Sequence, residues 1–243
     1  MELFLFVIIG WFCGSLVGGA TGLGAMMIAL PILSLGMPAS QAVLVSCLIG
    51  PFSCTQMAWL YRRHIVWSDV KWMWIGCIPG CAVGALTLKF VPVTWLQIMI
   101  SMMIFLFILL QFFSGKTQWR LGDSQCWNTL AGFGGGFANA SVSVVGVPVG
   151  IFVLLKRWDR DHARATMSLF FFFSGWITVI SQWAAGLYEM ELVKIAAVGL
   201  AGSLIGQRIG YAIGRHLNQK LFVRVVLLFL SCSAVILFYK GMQ

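Results

Sequence analysis

Gly18-Gly19-Ala20-Thr21-Gly22-Leu23-Gly24 lies in the middle of an apolar run over 3–35 that carries a proline further on, at Pro31. As one helix this run would be about 50 Å long at 1.5 Å per residue, against a bilayer core of about 30 Å. Clustered glycines are poor helix formers and release the backbone from regular hydrogen bonding. Irregular backbone at membrane depth survives only where protein or a wet cavity shields it. The run therefore reads as two half-helices meeting at a break. The same arrangement recurs over 126–155, where Gly132-Phe133-Gly134-Gly135-Gly136-Phe137-Ala138-Asn139 is followed by Pro148.

Six further apolar segments flank these two, at 38–61, 70–91, 93–113, 166–187, 190–213 and 218–239. Each has roughly the 20 residues of an ordinary membrane helix. The halves of the chain also match. At an offset of 117, Gly18, Gly19 and Pro31 fall on Gly135, Gly136 and Pro148, and at 122, Gly80 and Gly84 fall on Gly202 and Gly206. The predicted fold is an all-α polytopic membrane protein of two inverted repeats, 1–115 and 116–243, forming one integral membrane domain. Each repeat is a broken or re-entrant first helix plus three transmembrane helices.

Composition agrees. The chain is 60% hydrophobic and 9% charged, where a soluble domain carries roughly a quarter charged residues. The net charge of +9 comes from short clusters between apolar runs, which is where membrane orientation puts them, so nucleic acid is not an expected partner. Seven cysteines lack the spacing of a metal site or a secreted disulfide framework. Cys77 and Cys81 share a helix face and are the sole candidates for thiol–disulfide chemistry. There is no ATP-binding motif, and no metal or cofactor is expected. The apolar start lacks a basic n-region, so a cleaved signal peptide is not expected.

Charge decides between crossing and turning back. If all eight segments cross, seven basic residues fall on one side and eight on the other. If the first and fifth are hairpins, Arg62, Arg63, Lys71, Lys116, Arg120, Lys156, Arg157, Arg160, Arg164, Arg215, Lys220 and Arg224 share one side. Only Lys89, Lys194 and Lys240 remain on the other. That asymmetry is what the positive-inside rule expects. The hairpin reading puts the basic loops in the cytoplasm and both termini outside, and three crossings per half then invert the second repeat.

In such a fold the binding site lies where broken helices meet. Half-helices beginning after 22–24 and after Gly136 would each turn unpaired N–H groups and a positive dipole end into the gap, which makes an anion site without a charged side chain. Gly19, Thr21, Gly22, Gly24, Gly135, Gly136, Asn139, Ser141 and Ser143 are the candidate substrate-binding residues, the polar ones as hydrogen-bond donors. The competing reading is that these glycines only permit close packing and the hydroxyls bond their own helices. Gln207 and Arg208 are pathway candidates, although Arg208 is near enough to the basic cluster at Arg215 to snorkel. All seven acidic residues and all three histidines fall in loops or at helix ends. That leaves no buried proton relay and no ligands for a cation.

The order Gly18-Gly19-Ala20-Thr21-Gly22-Leu23-Gly24 to Leu30-Pro31, echoed by Gly134-Gly135-Gly136 to Val147-Pro148, resembles the TauE/SafE sulfite exporter family. Pro79-Gly80-x-x-x-Gly84 and Gly202-x-x-x-Gly206 fit as well, and the resemblance covers the whole chain. It implies a multi-pass protein of the bacterial inner membrane that is not an enzyme. It further implies export of sulfite or small organosulfur anions such as sulfonates. The second break departs from the first, with Phe137 and Asn139 near where Ala20 and Thr21-Gly22 stand, which leaves the substrate open. Alternatives are an anion channel or uniporter of the same architecture, a thiol-redox protein and an assembly subunit. The sequence leaves a homo-oligomer open.

Overall fold

The structure, a computed structural model, describes residues 2–21, 25–60, 67–113, 124–156 and 160–214, with Ser231, Val235 and Tyr239 beyond them. Every extended element among these residues is an α-helix: α1 (Glu2–Thr21), α2 (Ala25–Gly36), α3 (Ala39–Leu60), α4 (Trp67–Phe90), α5 (Val93–Phe113), α6 (Gln125–Val142), α7 (Gly146–Lys156), α8 (Arg160–Ala184) and α9 (Met190–Gly214). The expected segment 218–239 lies outside the described residues apart from those three positions. Trp67–Phe90, Ala165–Ala184 and Met190–Ile213 are long and apolar enough to cross a membrane.

The helices are apolar on both faces, but size sorts the residues. In α4, Gly76, Cys77, Gly80, Cys81, Gly84 and Ala85 are buried, while Ile75, Ile78, Val83 and Leu86 are exposed. Small residues inside and branched ones outside are what lipid selects. Hydrocarbon gives no hydrophobic drive between helices, so they associate through close backbone packing. Trp67 and Trp95 stand exposed at the starts of α4 and α5, as interface anchors do.

Both long apolar runs fold back on themselves. Gly36 lies against Phe6, Gly10 against Leu33, and a β-carbon on Gly18 would stand 2.7 Å from that of Ala25. Helix α2 therefore runs antiparallel to α1. Likewise Gly134 meets Pro148 and Gly135 meets Val149, so α7 returns along α6. The position of the second break corrects the sequence reading. Helix α6 runs unbroken through Gly132 and Gly136, and the chain turns at 143–145. The low helix propensity of that glycine run is overridden because the glycines let α6 press against α4. Pro148 is the third residue of α7, within the first turn, where a missing N–H costs nothing.

Helix α4 packs in parallel on α6 and α1 in parallel on α9, while α3 and α8 run antiparallel to each other. The first two contacts are alike in detail. A β-carbon on Gly76 or Gly80 would strike the carbonyls of Thr129 or Phe133, and one on Gly206 or Gly210 those of Phe12 or Leu16. In the reverse direction, Gly136 meets the Cys77 carbonyl and Gly19 the Gln207 carbonyl. Judged by what they touch, Gly76 and Gly80 correspond to Gly206 and Gly210, an offset of 130. The sequence match at 122 is two helical turns out of register, because G-x-x-x-G repeats along both helices and slides on itself.

Side-chain contacts tie together the helix ends at each pole of the bundle. At one pole Phe6 meets Gly36, the Tyr188 hydroxyl lies 3.5 Å from the Leu44 carbonyl, and Lys89 Nζ donates to the Ala185 carbonyl at 2.8 Å. At the other, Asn128 Nδ2 donates to Asp69 Oδ1 at 3.0 Å, joining the starts of α6 and α4.

Candidate functional site

The two folded-back turns meet inside the bundle, where Ser143 Oγ lies 3.5 Å from Met26 Sδ. Ser143 ends α6 in the left-handed region (φ 57°, ψ 28°). Its own N–H and that of Val144 return to the Asn139 and Ala138 carbonyls, closing the helix end. Beside this contact is a cavity of about 80 Å³, room for about half a dozen waters.

Two helix starts border the cavity: Ala25, Met26 and Met27 from the first turn of α2, and Val144, Val145 and Gly146 at the beginning of α7. First-turn N–H groups have no partner in their own helix and carry the positive end of its dipole. The polar side chains of the wall are Ser53, Asn139, Ser143, Ser168 and Gln207, with the Cys54 thiol and the Trp11 indole, whose buried Nε1 has no partner among the described residues. No described lining residue carries a formal charge.

The two amides are buried and held from behind. Gln207 Nε2 donates to the Ser53 carbonyl at 2.8 Å, and Gln207 Oε1 has no partner among the described residues. The Ser53 hydroxyl is 2.5 Å from that of Ser203, which is 2.8 Å from that of Ser15, so one hydroxyl chain joins α3, α9 and α1. Asn139 Nδ2 donates to Thr178 Oγ1 at 3.0 Å, and Asn139 Oδ1 is unpartnered among the described residues. Beyond Thr178 lie Cys81 Sγ at 3.3 Å and then Cys77 Sγ at 3.5 Å. Gln182 lies behind the break, with Nε2 on the Ala140 carbonyl at 2.8 Å and Oε1 accepting from the Tyr188 hydroxyl at 2.7 Å. Burial raises the Tyr188 phenol above its ordinary pKa, so it keeps the proton it donates.

The expected site residues divide. Asn139, Ser143 and Gln207 come together at the cavity. Gly19 and Gly136 instead pack against the backbones of α9 and α4, and Gly135 packs against Val149 and Phe170. Ser141 donates to the Phe137 carbonyl of its own helix at 2.7 Å, the bland alternative for a hydroxyl. Arg208 is exposed on the outside of α9. Gly22, Gly24 and the Thr21 side chain lie outside the described residues. Sequence reasoning missed Ser53 and Cys54 on α3 and Ser168 and Phe171 on α8, since neither run has a break to draw notice.

A profile of the sulfite exporter TauE/SafE family matches residues 6–237, nearly the whole chain. The chain belongs to the TauE/SafE family. That makes it a multi-pass membrane protein of a transporter family, with apolar helices to match. Comparison with curated proteins and with solved structures produced no match.

Proposed function

We propose that the chain is a secondary transporter that exports sulfite or a small organosulfur anion across the bacterial inner membrane, binding it in the cavity between α2 and α7. The observation that carries this reading is that two half-helix starts, at Ala25 and Gly146, border one cavity whose described wall has no charge. Helix N-termini bind anions through free N–H groups and the dipole. Asn139, Ser143 and Gln207 then contact the anion with Ser53 and Ser168. Thr21, Gly22 and Gly24 remain candidates in the first turn, while Gly19, Gly135 and Gly136 act by positioning helices.

The exchange of partners between α4–α6 and α1–α9 supports two inverted repeats divided near residue 115. The folded-back runs support the twelve-to-three division of basic residues. In that arrangement the connections after α3, α5 and α7 face the cytoplasm and both termini face outward. Lipid and the small anion are the partners in this reading.

The test is sulfite efflux from proteoliposomes holding the purified protein, with sulfoacetate, sulfolactate, thiosulfate and sulfate as competitors. Saturable efflux with selective competition is expected, and no flux of any of these would end the reading. The described cavity wall contains no carboxylate or histidine, which favours a uniporter as the second reading. Efflux indifferent to imposed pH and voltage gradients would select it.

A further inference from the structure

We infer that α3 and α8 form a lever with its pivot where Gly175 lies on Pro51, and that Gln182 bolts the outer side of the cavity shut. The cavity is then reached from the two membrane faces in turn. This rests on the transport reading and its topology, which sets the α8–α9 connection outside.

The two antiparallel helices cross at a smooth contact. A β-carbon on Gly175 would stand 2.7 Å from the Pro51 ring, so Gly175 offers α3 no side chain to lock against. Pro51 lies inside α3 and has no N–H for the Cys47 carbonyl, which removes one helical bond at the crossing. The crossing divides each helix into two arms. Ser53 and Cys54 of α3 and Ser168 and Phe171 of α8 lie on the inner arms and border the cavity. Cys47 of α3 and Thr178 and Gln182 of α8 lie on the outer arms.

Polar bonds hold the outer arms to each other and to the end of α6. Gln182 is fully buried, and its amide is fully used. Its Nε2 donates to the Ala140 carbonyl at 2.8 Å and to Cys47 Sγ at 3.5 Å, and Oε1 accepts from the Tyr188 hydroxyl at 2.7 Å. Ala140 is near the end of α6, where carbonyls lack a helical donor, so one amide joins α8 to α6 and α3. Tyr188 orients that amide and travels with α8, since the Leu187 N–H returns to the Gln182 carbonyl at 3.1 Å. The neighbouring core on this side is apolar, with Val7, Leu30, Leu33 and Val43 fully buried. Parting apolar packing costs free energy in proportion to area, whereas hydrogen bonds given up to water are nearly replaced. The outer side therefore opens along Gln182. With the pivot at Gly175, parting the outer arms draws the inner arms together over the cavity.

The test is alkylation of the full chain's own cysteines by a membrane-impermeant maleimide, added outside sealed vesicles or trapped within them and mapped by mass spectrometry. Cys47 reports the outer side and Cys54 the cavity. In Gln182→Leu, labelling of Cys47 from outside should rise at least about tenfold, because two interhelical bonds of the amide are lost. Tyr188→Phe removes one hydroxyl and should raise it about three- to tenfold, and it decides if Gln182→Leu fails to fold. Prior alkylation of Cys54 from the cytoplasm props the inner arms apart and should return Cys47 to its rate in the unsubstituted protein. Unchanged Cys47 labelling in the variants, or labelling from the cytoplasm, overturns the bolt. Cys47 labelling indifferent to the state of Cys54 overturns the lever, because a locally loosened helix end would behave that way. The labelling needs no substrate, so absence of sulfite flux beside the expected pattern removes the anion reading and leaves the lever standing.

Discussion

Ser143 is the one non-glycine described residue with a positive φ, and it stands where α6 turns back toward α7. The left-handed region costs an L-residue about 1–2 kcal/mol. Ser143→Gly should therefore keep or slightly raise the thermal stability of the detergent-solubilised protein. Ser143→Val, β-branched and without the hydroxyl, should lower it by at least about 1 kcal/mol. Equal melting of the two variants would show that the turn is not held as described. Gly136 tests a different expectation. Read from sequence, Gly136→Val blocks the anion and leaves folding intact. In the structure a β-carbon there would lie 2.6 Å from the Cys77 carbonyl. The variant should then lose about 1–3 kcal/mol of stability or accumulate poorly in the membrane, which a melting curve and a membrane blot would reveal. Residue type alone did not separate these cases. Gly18 lines the cavity and its neighbour Gly19 faces α9, and one helical step decides which.

At the scale of elements, the α4–α6 and α1–α9 contacts are held by backbone approach. Gly80→Leu and Gly210→Leu are expected to destabilise to similar extents, about 1–3 kcal/mol or more, since each drives a side chain into the carbonyl of a partner helix. A neutral outcome at one and a severe one at the other would count against the equivalence of the two interfaces. Pro148→Ala should change stability by no more than about 0.5 kcal/mol, because the first turn of α7 needs no N–H at that position. Helix existence was legible here from apolar run length. The location of the second break was not, because glycine serves equally to interrupt a helix and to let one approach another. The choice depends on whether a partner helix lies alongside, as α4 does for Gly132 and Gly136.

For the whole molecule, the folded-back runs predict that the start of α6 and the connection from α7 to α8 share a side. Cys126 is exposed at the start of α6, and a cysteine introduced by Trp158→Cys would report the other position. Both should be labelled by an impermeant thiol reagent only from the cytoplasm, and labelling from opposite sides would mean that α6 and α7 together cross the bilayer. Membrane residence and helical class followed from sequence, because they depend on run length and composition summed over many residues. The register of the glycine contacts, the site of the second break and the meeting of Ser53, Asn139, Ser168 and Gln207 at one cavity were decided by tertiary structure. They depend on which face each helix turns to its neighbours, and where packing rests on backbone contact at G-x-x-x-G repeats, several registers satisfy the same sequence until the third helix is in place.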